Sequence, residues 1–148
     1  MPRTPAAPAL LATILVACAA APATVAPVPR PATVTAASFG RTWDAVIEHF
    51  AERSIPIRTL ERASGIVITD PTRVDPDKGV EWADCGTGWV ADRFPTAGSF
   101  NVLVRGDSTS ATVKVTARWV YEAKECATRD VFEKELEEAI RLRAQQGR

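Results

Sequence analysis

The chain has 148 residues but contains a single histidine, His49, and a single tyrosine. Hydrolases of the Ser-His-Asp type need a histidine base beside the serine nucleophile, and no Gly-x-Ser-x-Gly element accompanies His49. The sequence also lacks an excess of either charge, because 18 basic residues are balanced by 18 acidic ones. Nucleic-acid-binding domains usually carry a basic surplus. We therefore expect a protein that is not an enzyme and has no nucleic-acid partner.

Two further segments do not match the sequence motifs of known ligand-binding loops. Gly86-Thr87-Gly88 has neither the third glycine nor the following helix of a nucleotide-binding loop. Residues 75–79 do not fit a calcium loop, because its sixth position would be Val80 instead of glycine and no glutamate stands at its twelfth position. These departures predict a chain without a cofactor and without a metal ion.

Long hydrophobic runs are absent as well. The apolar stretch over residues 6–17 is shorter than the roughly 20 residues that a membrane-spanning helix needs, and Arg3 is the only charge before it. Leu15-Val16-Ala17-Cys18 matches the lipobox of bacterial lipoproteins. The match implies a signal peptide over residues 1–17 and a membrane attachment through lipid on Cys18. A secretory signal without lipid is the alternative.

Cys85 and Cys126 form an even pair once lipid occupies Cys18. Exported proteins fold in an oxidising compartment, so we predict a disulfide between Cys85 and Cys126. A zinc site or a reactive thiol is the alternative, although structural zinc takes about four ligands. Residues 18–37 are rich in alanine and proline, which predicts a flexible tether. A single domain is expected over residues 38–145.

Helical spacing of apolar residues occurs near both ends of this domain. Ser38 is a suitable N-cap for a helix over residues 39–53. A second helix is predicted over residues 128–143, with its glutamates facing solvent. The apolar faces of the two helices consist of Phe39, Trp43, Val46, Ile47 and Phe50, and of Phe132, Leu136, Ala139 and Ile140.

Alternating apolar residues between these helices predict strands. Residues 55–61 and 66–69 indicate one hairpin, and residues 99–105 and 111–121 a second. Residues 70–80 are predicted as a polar loop, followed by a further strand in residues 81–91. The expected fold is α+β, with an antiparallel sheet of about five strands, two helices on one face and the order α-β-β-β-β-β-α.

One face of the predicted sheet is polar, which is typical of an antiparallel sheet that is open to solvent or to a partner. Aromatic side chains in residues 82–94 are the second candidate for a contact patch. The candidate contact surface comprises Trp82, Trp89, Phe94, Thr112, Lys114, Thr116 and Arg118.

The helix over residues 39–53, the hairpin around Ala63-Ser64-Gly65-Ile66-Val67, the later strands and the final helix together resemble a known layout. It is similar to the small helix-grip domains of BamC, a lipoprotein of the outer-membrane β-barrel assembly machinery. The resemblance covers residues 38–143 and implies scaffolding without catalysis. Ala19 replaces the aspartate that retains enterobacterial lipoproteins in the inner membrane, which favours an outer-membrane location with the domain in the periplasm.

These features lead to three functional hypotheses. The first is a lipoprotein whose periplasmic domain binds other envelope proteins. The second is a carrier that holds a lipid or another small apolar molecule between sheet and helix. The third is a hydrolase of envelope polymers that uses Glu81 or Asp84. The partner and the oligomeric state stay open at this point.

Overall fold

The computed structural model describes residues 29–87 and 93–146. In this part of the chain it has three helices and eight strands, in the order β1-α1-β2-β3-β4-α2-β5-β6-β7-β8-α3. The helices are α1 (Phe39–Glu52), α2 (Pro76–Trp82) and α3 (Val131–Gln146). The strands are β1 (Thr33–Thr35), β2 (Ile57–Glu61), β3 (Ile66–Thr69), β4 (Thr72–Arg73), β5 (Ala83–Asp84), β6 (Ala97–Gly106), β7 (Ala111–Tyr121) and β8 (Lys124–Thr128). The predicted α+β class is confirmed, whereas the predicted order, the five strands and the two helices are wrong.

The sheet is antiparallel and open, with the strand order β2-β3-β6-β7-β8-β5. Strand β1 also pairs with β7, and β4 with β6. The predicted β6–β7 hairpin is its longest pairing and runs from Ala97↔Val120 to Gly106↔Ala111. Asp107 closes the hairpin, because its carboxylate accepts hydrogen bonds from the backbone N–H groups of Thr109 and Ser110. These bonds lower the pKa of Asp107 to about 2.

Helices α1 and α3 cover the same face of the sheet, as predicted. Helix α1 begins after Ser38, whose hydroxyl accepts a hydrogen bond from Arg41 N. The core combines the apolar face of α1, the inward side chains of β3, β6 and β7, and the apolar face of α3. Among its fully buried members are Val46, Phe50, Val67, Val102, Val104, Val113, Val115 and Ile140.

The domain begins earlier than the composition predicts. Residues 33–35 were expected in the tether, yet they form β1, which pairs with β7 from Thr33↔Val113 to Thr35↔Ala111. The proline-rich run ends at Pro31, and the sequence Thr33-Val34-Thr35 shortly after it favours a strand. The tether therefore does not extend to residue 37.

Two elements lie where the sequence predicted something else. Helix α2 occupies part of the expected polar loop and part of the expected strand over residues 81–91. Its start carries two standard signals, because Asp75 accepts a hydrogen bond from Asp77 N and Pro76 follows in the first turn. Strand β8 was not predicted at all, since it has five residues of which only Cys126 is buried.

Candidate functional site

The open sheet face lies opposite the helices and contains the predicted residues Thr112, Lys114, Thr116 and Arg118. Two cross-strand rows run through it, Ile66–Leu103–Lys114 and Ile68–Asn101–Thr116. Ile66, Ile68 and Leu103 are half-buried and give this face an apolar centre. They line a shallow depression of about 280 Å³ with Asn101, Lys114 and Thr116. The face is therefore less polar than β7 alone predicts.

The aromatic part of the candidate contact surface does not join this face. Trp82 lies on the helix side of the sheet, where the centroid of its ring is 5.4 Å from the ring centroid of Trp119 and 5.0 Å from that of Phe132. Phe94 is half-buried beside Pro76 at a separate depression. Trp89, like the predicted signal peptide and Cys18, lies outside the described residues. A single continuous surface that includes both Trp82 and Thr116 is therefore wrong.

An aromatic cavity of about 520 Å³ opens on the helix side of the sheet. Its walls combine side chains from four elements: Trp82 of α2, Phe100 of β6, Trp119 of β7 and Phe132 of α3. His49 of α1 and Arg53, which directly follows this helix, border it, as do Arg73, Asp75 and Glu135. Its volume falls within the range of roughly 300–1,000 Å³ that is usual for small-molecule sites.

Gly98 shapes one wall of the aromatic cavity. It lies opposite Trp119 in the β6–β7 pairing, and the indole ring of Trp119 lies across it. A Cβ atom at Gly98 would lie only 2.3 Å from Cζ3 of Trp119. A glycine inside a strand often marks such a close approach, so Gly98 was the available sequence signal for this site.

The indole N–H groups of the cavity are unusual for a buried location. Trp82 Nε1 and Trp119 Nε1 are both buried and have no hydrogen-bond partner among the described residues. Leaving a buried donor unsatisfied costs about 1–3 kcal/mol. Core packing explains the rings but not these two donors.

His49 is buried next to the cavity, with 6% of its surface exposed. Burial lowers its pKa, and the nearby positive charges of Arg53 and Arg143 lower it further. Its imidazole is therefore held in the neutral form, which keeps the cavity wall uncharged at this point.

The predicted disulfide is present, with the sulfur atoms of Cys85 and Cys126 at the bonding distance of 2.03 Å. It joins the end of β5 to β8, and Cys126 lies opposite Trp119 in the β7–β8 pairing. Trp82 O also accepts a hydrogen bond from Arg129 N. The α2–β5 segment that carries Trp82 is thus attached to the sheet next to the aromatic cavity.

The glutamate run of α3 forms the solvated face that the sequence predicts only in part, because Glu135 and Glu138 are exposed. Glu133 and Glu137 are buried, with 2% and 0% of their surfaces exposed. Glu137 accepts hydrogen bonds from Arg30, from the hydroxyl of Thr33 and from Val115 N. This ion pair raises the pKa of Arg30. The two glutamates belong to the interior because one turn of helix separates them and places both toward the sheet.

The acidic residues of the hydrolase hypothesis are both exposed and each has a basic neighbour. Glu81 lies 3.0 Å from Lys78 Nζ, and Asp84 lies 3.9 Å from Arg129. Within residues 29–87 and 93–146 no cluster of potential metal ligands occurs. No helix in the same ranges is long and apolar enough to span a membrane.

No known protein family matches this chain, and no curated protein matches it. Within residues 29–87 and 93–146, the open sheet face and the aromatic cavity are two candidate binding surfaces on opposite sides of the sheet.

Proposed function

We propose that this protein is a non-catalytic lipoprotein of the bacterial envelope whose periplasmic domain binds another envelope protein. In this proposal lipid on Cys18 attaches it to the outer membrane, and its role is similar to that of scaffolds in outer-membrane assembly. The lipobox and the proline-rich tether support the location. The observation that carries the binding role is the open sheet face, which has an apolar centre among polar side chains.

The chemistry of this face indicates the kind of partner that fits it. Ile66, Ile68 and Leu103 supply apolar area at the centre, as in the buried core of an interface. Among the described residues, Arg118 pairs with Glu125 at 3.5 Å, whereas Arg105 and Lys114 have no such pairing. The matching partner surface has apolar side chains flanked by carboxylates, because charge complementarity orients and selects the partner.

Site-specific cross-linking in intact cells tests this function. A photoreactive amino acid at Thr116, which is exposed on the open sheet face, is expected to capture a defined envelope protein. The matched control places it at Glu138, which is exposed on α3. The Lys114→Glu variant should lose most of the Thr116 product, because it reverses a charge beside the contact. Equal products from both positions, or none from Thr116, would contradict the proposal.

The aromatic cavity favours a second candidate function, that of a carrier for a lipid or another small apolar molecule. Four aromatic rings and several aliphatic side chains contribute to its walls, and its volume is about 520 Å³. Native mass spectrometry of the protein as isolated should then show an added small mass. Protein that repeatedly carries no such mass would count against this candidate.

A further inference from the structure

The lining of the aromatic cavity changes from apolar in its interior to charged at its border. In its open part, apolar surface is contributed by Ile55, Trp82, Phe132 and Ala139, each of which is half-buried. Removing this surface and the apolar surface of a ligand from water favours binding. The interior therefore specifies an apolar body, and the charged groups at the border decide which head group suits the site.

The border of the cavity carries charges of both signs. The four exposed residues of the lining are Arg53, Arg73, Asp75 and Glu135. None of them forms a salt bridge with another residue in the described part of the chain. A ligand with a single charge would be attracted by two of these groups and repelled by the other two. Like charges brought together in this way select against a partner.

Two neighbouring groups leave this balance unchanged. Burial and the nearby arginines lower the pKa of His49, so its imidazole adds no positive charge at neutral pH. Lys78 lies near the two carboxylates of the border, but its ammonium group pairs with Glu81 at 3.0 Å. The border therefore presents two positive and two negative charges to a ligand.

We infer that the aromatic cavity binds a small zwitterionic amphiphile, that is, a molecule with an apolar body and a head group that carries one positive and one negative charge. The apolar body packs against Ile55, Phe132 and Ala139. The negative group of the head faces the two arginines, and the positive group faces the two carboxylates. A lipid with one acyl chain and a free aromatic amino acid both present this chemistry.

This inference rests on the second candidate function and names its ligand class. It is independent of protein binding at the open sheet face, because the aromatic cavity lies on the other side of the sheet. Failure of the Thr116 cross-link therefore has no bearing on the cavity, and failure of ligand binding has none on the open sheet face.

Titration with amphiphiles of one tail length tests the head group. The probes are decyl sulfobetaine, which is zwitterionic, decyltrimethylammonium, decyl sulfate and the uncharged decyl maltoside, each below its micellar concentration. The protein is the full chain with Cys18→Ser, which carries no lipid and is purified without detergent. Isothermal titration calorimetry should show the tightest binding for decyl sulfobetaine.

A second series replaces the acyl tail by an aromatic body. It compares phenylalanine, which is zwitterionic, with phenethylamine and hydrocinnamic acid, which each carry one charge. Tighter binding of decyl sulfobetaine than of phenylalanine would indicate a lipid with one acyl chain. The reverse order would indicate a free aromatic amino acid, and both orders support the inference.

Charge variants at the border locate the head group. Glu135→Lys gives the border an excess of positive charge, so the preference should move from decyl sulfobetaine to decyl sulfate. Arg53→Glu should move it to decyltrimethylammonium. Each variant should weaken the binding of decyl sulfobetaine about twofold to fivefold, as expected for an exposed ion pair. Glu138→Lys, at an exposed position of α3 outside this lining, is the matched control and should leave the preference unchanged.

A variant inside the cavity locates the apolar body. Ala139→Phe fills space at the wall formed by α3 and should abolish the binding of every probe. If this variant folds, as judged by circular dichroism, and still binds the probes, the ligand lies elsewhere and the inference is wrong.

The remaining outcomes separate this inference from the carrier function on which it rests. If all probes of a series bind equally well, or a singly charged or uncharged probe binds best, the carrier function stands and the zwitterionic ligand is excluded. The same holds if Glu135→Lys and Glu138→Lys have equal effects. If no probe of either series binds at millimolar concentration, the inference and the carrier function both fail.

Discussion

Arg30 and Glu137 are 107 residues apart in the chain and form a two-bond ion pair, with N–O distances of 2.6 and 2.7 Å. Both also bind the backbone of Val115, because Arg30 donates to Val115 O and Glu137 accepts from Val115 N. Strand β7 pairs with β1 through residues 111–113 and with β8 through residues 119–121. The ion pair therefore satisfies the backbone of β7 at a point where neither strand reaches it.

Replacement of Glu137 by alanine should destabilise the domain strongly. Removing one member of a buried ion pair leaves the other charge unpaired, which typically costs about 3–5 kcal/mol. The measurement is the free energy of unfolding from urea denaturation. Glu138→Ala is the matched control, because Glu138 is exposed and pairs with Arg141 at the surface, where such pairs contribute little to stability.

A double-mutant cycle identifies the source of this effect. Arg30→Met with Glu137→Met removes both charges and should cost less than the two single substitutions together. Additive losses would mean that Arg30 and Glu137 act independently, contrary to the bonds between them.

Loss of the Cys85–Cys126 disulfide should lower the free energy of unfolding by up to about 4 kcal/mol. The chain-entropy estimate follows from the sequence separation of 41 residues between the two cysteines. The double variant Cys85→Ser/Cys126→Ser is compared with Cys18→Ser in the same urea titration. An oxidised Cys18→Ser protein that is no more stable than the double variant would contradict a structural role for this bond.

Gly98→Ala should destabilise the domain by about 1–3 kcal/mol, the usual cost of overpacking. The new Cβ would lie 2.3 Å from the Trp119 ring, so the indole has to move. Near-ultraviolet circular dichroism should report that movement. Gly40→Ala in α1 is the control, since its Cβ would make only an ordinary contact at 3.6 Å and helical alanine is favoured over glycine. Equal effects at both positions would refute the close packing inferred here.

Acidification should destabilise the domain through His49. Its folded pKa lies below the unfolded value of about 6.5. The unfolded chain therefore binds the proton more readily, and the stability present above this value is lost as pH falls through the folded pKa. Urea titrations of the wild type and of His49→Phe on both sides of about pH 6.5 measure the effect. His49→Phe should lose less stability than the wild type, and parallel losses would exclude this histidine as the cause.

The sequence predicted those elements whose residues alternate or repeat clearly. The face of α1 that includes Trp43 and the two faces of β7 appear in the structure as expected. Strand β1 was not predicted, because three residues are too few to show a periodicity. Its pairing with β7 makes it a strand. The burial of Glu137 was not predicted either, because its partner Arg30 is remote in the chain. Helix α2 could have been predicted from the sequence, because Asp75 and Pro76 are residues typical of a helix start.

The cavity could be anticipated only in part. Trp82 was predicted to belong to a contact patch, and Gly98 lies just before the strand that was predicted over residues 99–105. Trp82 and Gly98 both contact Trp119, and this arrangement depends on strand register and on the position of α2. Both are set by pairings between distant residues, which a local pattern does not encode.

The bonds of Arg30 also constrain the order in which the chain acquires its structure. Its partners, Val115 and Glu137, lie 85 and 107 residues further along the chain, so the bonds of Arg30 cannot form until both of these distant segments are in place. A chain truncated before α3 would leave Arg30 without its carboxylate and β7 without its cover. Attachment of the N-terminal segment to β7 through these bonds therefore depends on the last helix.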